Sequence, residues 1–286
     1  MHCNMELTIG KHAGFCFGVR RAVKTAFDAA EEKIPCVTLG PLIHNPQEVE
    51  RLERAGICSV NSLDEVLPGQ TVIIRSHGVT PEVYAQCEAR GLHYIDATCP
   101  QVAHIHQLVR EYSAQGDTVI IVGEADHPEV VGIAGWAKGP VIILPDHRAA
   151  KAADLPPRAM VVAQTTIRRD RFEDVLAVLR ARVSELIVRM TICAATSQRQ
   201  KEAGELSGQA DVMVVVGGHN SSNTKKLFET CSLRCPRSIL VETPEDVPSG
   251  VIKATDRVAI TAGASTPQWL LEEVRARIEA CAGGDA

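Results

Sequence analysis

Three segments of this chain begin as an apolar strand, reach a cysteine and continue as a helix: 5–30 (MELTIGKHAGFCFGVRRAVKTAFDAA), 93–113 (HYIDATCPQVAHIHQLVREYS) and 186–208 (LIVRMTICAATSQRQKEAGELSG). Their cysteines are Cys16, Cys99 and Cys193, separated by 83 and 94 residues. Self-similarity at a fixed period means that one structural unit recurs. Two further strand–loop–helix units lie between successive cysteines, read from the apolar cores at 36–40, 71–76, 118–123, 160–164, 212–218 and 257–263. Short strands alternating with longer amphipathic helices are the pattern of a parallel α/β architecture. The expectation is three similar α/β/α lobes with mostly parallel sheets of three strands each: 17–99, 100–192, and 193–286 joined by the N-terminal strand 1–16. A lobe of that size buries itself poorly, so pseudo-threefold packing around a common centre is expected. The active site should lie at that centre.

Composition removes several alternatives. With 30 basic and 35 acidic side chains the net charge is −5, which argues against nucleic acid as a partner because phosphate backbones require a basic face. Aromatic residues make up only 3% of the chain, too few for stacking platforms. Apolar runs such as VIILP near 141 and VMVVVGG near 212 fall far short of the roughly 18 residues of a membrane span. The opening MHCNMELTIG lacks the basic-then-apolar pattern of a secretion signal, so a cytoplasmic protein without membrane attachment is expected. Ten cysteines in a reducing compartment point to metal or redox chemistry at some of them rather than to disulfides. The others should be small buried apolar residues, among them Cys36, Cys58, Cys87 and Cys281. Cys231 and Cys235 have a spacing that could hold a metal, but no nearby cysteine or histidine completes a site, and burial is the reading for them too.

In open parallel sheets, ligands bind beyond the carboxyl ends of the strands. The loops there are rich in polar groups: LGPLIHNPQEV (39–49), RSHGVTPEV (75–83), EADHPEVVG (124–132), QTT (164–166), GGHNSSNT (217–224) and GAST (263–266). A cysteine at a strand-to-helix turn sits where the helix dipole favours thiolate. Three such thiolates match three corners of a cubane cluster, which usually takes four cysteines; three leave one iron open. Three buried cysteines left by repeat ancestry are the structural alternative, and spacing alone leaves it open. Neither a P-loop nor a G-x-G-x-x-G fingerprint is present.

The motifs themselves carry a resemblance. GFCFGVRRA around Cys16, DATCPQV around Cys99 and TICAATSQRQ around Cys193 resemble the LytB family of 4-hydroxy-3-methylbut-2-enyl diphosphate reductases, as do IHNPQEV, SHGV, HPEV, QTT, NSSNT and GAST. They run in family order from residue 14 to 266. The resemblance implies a three-lobed α/β protein with a central oxygen-sensitive [4Fe-4S] cluster on three cysteine ligands. It implies the last step of the non-mevalonate isoprenoid pathway: an allylic diphosphate loses its 4-hydroxyl as water, giving isopentenyl and dimethylallyl diphosphates. A ferredoxin or flavodoxin is implied as electron donor.

By the same resemblance Cys16, Cys99 and Cys193 hold three irons, and the fourth meets the substrate hydroxyl. Glu129 is the proton donor; burial beside an anionic diphosphate should raise its pKa. His44 and His77 face the diphosphate, His127 lies near the hydroxyl relay, and Thr165 bonds the hydroxyl or a relay water. Ser221, Ser222, Asn223 and Ser265 present donors to the head group at helix starts. For each of these residues an ordinary capping or structural role is the alternative; Thr166 is expected as an N-cap. His104 and His106 are expected to be structural, and Glu48 and Glu82 to be first-turn glutamates that only favour their helix N-termini. Two rivals remain: a non-enzymatic iron–sulfur redox sensor, for which no recognition helix or fourth cysteine appears, and a zinc hydrolase, for which three thiolates make a poor open site.

Overall fold

The computed structural model describes residues 5–283; Cys3 and the outermost residues assigned above to the third lobe lie outside them. Strand β1 (Glu6–Ile9) leads through Cys16 into α1 (Phe17–Glu31). A first block follows: β2 (Cys36–Leu39), α2 (Pro46–Arg54), β3 (Cys58–Val60), β4 (Thr71–Ile74), α3 (Pro81–Ala89), β5 (Tyr94–Asp96) and α4 (Pro100–Ala114). A second block repeats it with β6 (Thr118–Val122), α5 (Pro128–Gly135), β7 (Val141–Leu144), α6 (His147–Ala152), β8 (Arg158–Ala163), α7 (Arg169–Arg182), β9 (Glu185–Val188) and α8 (Ala194–Ser207). The last block is β10 (Val212–Val216), α9 (Ser222–Ser232), β11 (Ser238–Val241), β12 (Arg257–Ala262) and α10 (Gln268–Gly283).

These strands form three four-stranded sheets, ordered β1-β12-β10-β11, β5-β4-β2-β3 and β9-β8-β6-β7. Every pairing in them is parallel. The order is the same three times: the strand that precedes a cysteine lies at one edge, beside the strand before it in the repeat. Each sheet has four strands, not the expected three. The strands missed are β3, β7 and β11, each at the opposite edge. They are three or four residues long and only partly buried, so no alternation marks them, and their apolar stretches, the VIIL of β7 included, are too short to decide between strand and helix.

The chain divides into two compact units: 1–17 with 44–48 and 194–286, and 18–43 with 49–193. In the second unit, the sheet of β6 to β9 is covered on both faces, as parallel sheets require. Side chains alternate across it: Ile120, Val122, Val161 and Ala163 pack with Phe172, Val175, Leu176 and Leu179 of α7. Val119, Ile121, Met160 and Val162 pack with Ile105 and Val109 of α4 and Val130 and Ile133 of α5. The sheet of the first unit follows the same rule. Val212, Val214 and Ile260 pack with Leu270, Leu271, Val274 and Ile278 of α10, while Met213, Val215 and Ala259 meet Ala203, Leu227 and Cys231.

Cysteine burial departs in two places from the sequence reading. Cys36 and Cys87 are buried, but Cys58 is exposed and Cys281 only half-buried. Cys58 opens the short edge strand β3, along which burial rises from this exposed first residue to a buried third one. Cys231 and Cys235 are buried, and loss of solvent pushes the Cys231 thiol up to about 11. No helix among the described residues is long and apolar enough to cross a membrane.

Phe172 is fully buried at the centre of the α7 layer. Replacing it with alanine should lower stability by about 3–5 kcal/mol, read from the denaturant midpoint; an unchanged midpoint would contradict the packing described.

Candidate active site

Each repeat cysteine stands immediately before a helix: Cys16 before Phe17, Cys99 before Pro100 and Cys193 before Ala194. None of the three is in a disulfide, and all are half-buried. Their backbone N–H groups make the same bond three times. Cys99 donates to the Ser76 carbonyl at 3.0 Å, Cys193 to Thr165 at 3.1 Å and Cys16 to Ala264 at 3.1 Å. Each acceptor lies two residues past the neighbouring strand, β4, β8 and β12 respectively. The RSHG, QTT and GAST loops therefore hold the cysteines by backbone, whatever their side chains do. Space around Cys99 is tight: a Cβ on Gly18 would fall 2.5 Å from its Sγ, which accounts for the glycine in GFCFGV.

Loop 10–16 of the first unit is anchored by α8. Arg199 is buried and donates to the carbonyls of His12 at 2.9 Å and Gly14 at 2.8 Å. Glu202 accepts from the Lys11 and His12 N–H groups at 2.7 and 2.9 Å.

The second unit assembles Glu129, Thr165, His127 and His77. Glu129 is 2% exposed. Its Oε1 accepts the Thr165 N–H at 2.6 Å and its Oε2 the Thr165 hydroxyl at 2.7 Å, so one residue of the QTT loop grips both carboxyl oxygens. His127 is the N-cap of α5, its Nδ1 accepting the Glu129 N–H at 3.1 Å. That bond leaves Nδ1 without a proton in the neutral ring and places the N–H on Nε2. The His77 ring meets His127 edge-on, with centroids 5.7 Å apart. Beneath them Gln164 fixes the loops, its Oε1 accepting from Glu124 N–H at 3.1 Å and its Nε2 donating to Thr166 at 3.0 Å. Thr166 is thus not a helix cap; α7 is preceded by Arg168 without a side-chain cap.

The first unit gathers His44, Ser221, Ser222, Asn223 and Ser265. Ser265 donates its hydroxyl to the His44 carbonyl at 3.0 Å. Ser221 caps α9, accepting the Thr224 N–H at 3.3 Å. Gly217 and Gly218 allow close approach: a Cβ on Gly217 would lie 2.7 Å from Thr266 Oγ1, and one on Gly218 3.0 Å from the His44 carbonyl. Asn45 accepts the Glu48 N–H at 2.8 Å. Glu48 is not a solvated first-turn glutamate. It is buried and accepts the Trp269 indole N–H at 2.9 Å.

Residues 7–279 match the family model described as LytB protein. The chain is 44% identical over 275 residues to the 4-hydroxy-3-methylbut-2-enyl diphosphate reductase of Geobacter sulfurreducens, covering 96% of this chain and 97% of that one. It is 40% identical over 285 residues to the enzyme of the same name from Caldanaerobacter subterraneus, covering 98% and 99%. Among solved structures, the reductase described as the terminal enzyme of the non-mevalonate pathway aligns with a TM-score of 0.71 at 40% identity, over 96% of this chain and 99% of that one. The E-1-hydroxy-2-methyl-but-2-enyl-4-diphosphate reductase of Plasmodium falciparum aligns with a TM-score of 0.89 at 27% identity, over 96% and 87%. The class is a parallel α/β protein with cysteines and acid–base groups on its strand-end loops. The chain belongs to the LytB family of 4-hydroxy-3-methylbut-2-enyl diphosphate reductases.

Sequence reasoning missed the groups that support these loops. Asn45 could have been found, since Asn before Pro is a helix-start signal. Arg199, Glu202 and Lys226 could not, because nothing in a helical pattern distinguishes a charge that holds a neighbouring loop or hydroxyl from a solvated one. His106 is structural, as expected, and it is buried while His104 is exposed. Its ring stacks on Trp136 at 5.3 Å and 18°, and a Cβ on Gly78 would fall 2.5 Å from its Cε1. Burial, against a weaker pull from Asp96, pushes its pKa down to about 4. An unfolded histidine takes its proton near 6.5, so between these values the unfolded chain binds the extra proton. Stability conferred by His106 is therefore lost as pH falls from about 6.5 towards about 4. His106→Phe should flatten the melting temperature over that window; a variant as acid-sensitive as the parent would remove His106 as the cause.

Proposed function

We propose that this chain reduces (E)-4-hydroxy-3-methylbut-2-enyl diphosphate: the allylic hydroxyl leaves as water, with two electrons and two protons consumed, to give isopentenyl and dimethylallyl diphosphates. The chain is an oxidoreductase of the isoprenoid route that its relatives serve, and the redox-sensor alternative has no support beside those names. The observation that carries the reading is the buried Glu129 carboxyl held through both oxygens by Thr165 and flanked by His127.

Cys16, Cys99 and Cys193 are proposed as the ligands of a [4Fe-4S] cluster, leaving one iron open. The donor set fits: three half-buried cysteines outside any disulfide, soft ligands of the kind iron–sulfur centres take. Among the described residues no three His, Cys, Asp or Glu side chains could share one metal ion; in a cubane each thiolate takes its own iron. When bound, the cluster supplies a Lewis-acid iron and the electrons for reductive C–O cleavage. The lobes 17–99, 100–192 and 193–286 with 1–16 remain the proposed division of the chain. A cytoplasmic location and a ferredoxin or flavodoxin as donor complete the proposal.

The chain's own residues handle the proton. A proton on Glu129 Oε2 would be donated to Thr165 Oγ1, 2.7 Å away. The Thr165 hydroxyl proton then turns outward to the departing oxygen, so the two groups form a relay. His127, with its proton on Nε2, and His77 are proposed donors around the substrate. His44, Ser221, Ser222, Asn223 and Ser265 are proposed to bind the diphosphate.

Glutamine at 129 fits the same contacts: its carbonyl takes the Thr165 N–H, and its amide donates to a reversed Thr165 hydroxyl. Glu129→Gln should therefore keep cluster and substrate binding but lose turnover; near-normal turnover would remove Glu129 as the proton source. Thr165→Val should lose turnover while Thr165→Ser keeps most of it, and equal rates for the two variants would remove the relay. Anaerobically purified protein should carry about four irons and four sulfides per chain. Zinc, or no metal in a folded protein, would overturn the proposed chemistry.

A further inference from the structure

Lys226 is 2% exposed, one helical turn beyond Ser222 on α9, and its Nζ donates to the Ser222 hydroxyl oxygen at 2.6 Å. An ammonium has no acceptor capacity, so in this bond Ser222 is the acceptor. Its own O–H proton must point elsewhere. Ser222 is buried, and among the described residues no acceptor takes that proton. The next residue repeats the pattern: Asn223 is 6% exposed and its amide nitrogen has no hydrogen-bond partner. A third buried donor, the amide nitrogen of Asn45, is also unpartnered, its orientation set because Asn45 Oδ1 is taken by the Glu48 N–H. Buried donors without acceptors are costly unless a ligand supplies the acceptors. A species rich in acceptors and lacking donors, such as a phosphate group, meets that requirement.

We infer that Lys226 is a positioning residue for the anion-binding end of the site: by donating to Ser222 Oγ, it turns the Ser222 hydroxyl into a committed donor toward a diphosphate oxygen. Ser222 is the first residue of α9, so no helix carbonyl lies three or four residues before it to fix its hydroxyl, and without the Lys226 contact nothing holds the direction of that O–H. The inference rests on the proposed diphosphate reading of Ser222 and Asn223 and adds a residue that does not itself touch the ligand.

Its test is a double-mutant cycle on the anaerobically prepared holoenzyme, with binding of inorganic pyrophosphate measured by titration calorimetry. A hydrogen bond to a charged group contributes about 1.5–3 kcal/mol, roughly tenfold or more in affinity. Ser222→Ala should weaken pyrophosphate binding by about that factor, and so should Lys226→Met. In the double variant the loss should be no greater than in Ser222→Ala alone, because Lys226 acts through the hydroxyl. Multiplying losses would overturn the inference, as would pyrophosphate binding by Lys226→Met equal to the parent's. If Lys226→Met does not fold, Lys226→Gln reads the same cycle, its shorter side chain unable to span the distance while avoiding a fully apolar replacement. A parent enzyme that ignores pyrophosphate overturns it as well. Turnover of the allylic diphosphate, measured separately, judges the activity: the expected cycle without turnover supports Lys226 and sinks the reductase reading.

Discussion

Parallel pairing is the constraint on which everything else in the chain depends. Two parallel strands cannot be joined by a tight turn; the chain must cross over, and a helix is the usual means. All strands of a sheet then run one way, both faces are covered by helices, and the loops at the carboxyl edge lead into helix starts. In this protein that geometry is used three times, with one strand order. It places the cysteine loops beside the loops that follow β4, β8 and β12, close enough for the same backbone hydrogen bond in each sheet.

That bond uses only main-chain atoms and therefore frees the side chains to diverge. The loops after β4, β8 and β12 carry His77, Thr165 and Ser265. Equivalent loops thus support different chemistry: an imidazole, a hydroxyl paired with a buried carboxyl, and a hydroxyl that ties down the His44 carbonyl. The loops after β2, β6 and β10 diverge likewise. His127 caps α5 with its ring and Ser221 caps α9 with its hydroxyl, while Asn45 takes an N–H at the start of α2. Capping and ligand binding use the same donors and acceptors, so one residue can serve both.

Support for the site comes from charged side chains, most of them buried. Glu202 and Arg199 hold the loop before Cys16, Glu48 meets Trp269, and Lys226 reaches back to Ser222. Each pairs with a backbone, indole or hydroxyl group of the loops and helix starts around the site. Such groups are the part of the site that pattern reading handles worst, because a charged residue on a helix is by default assigned to water. Glu48 shows the error plainly: its place in the first turn of α2 suggested a solvated residue, and an indole from α10 covers it. Cys58 errs the other way, an apolar residue type exposed at the start of an edge strand.

The sequence alone determined the threefold recurrence, the parallel α/β class, the cysteines at helix starts and the loops bearing His77, His127, Glu129, Thr165, Ser221, Ser222, Asn223 and Ser265. These follow from local periodicity and from residue types that match the geometry of strand ends and helix caps. Only the tertiary structure decided that each sheet has a fourth strand, since β3, β7 and β11 are stabilised by pairing with a neighbour distant in sequence rather than by their own pattern. It alone also decided that Thr165 rather than Thr166 grips Glu129, that His106 is buried while His104 is not, and that Lys226 points inward. Those outcomes depend on which side chains the fold removes from water together, and no local pattern records that.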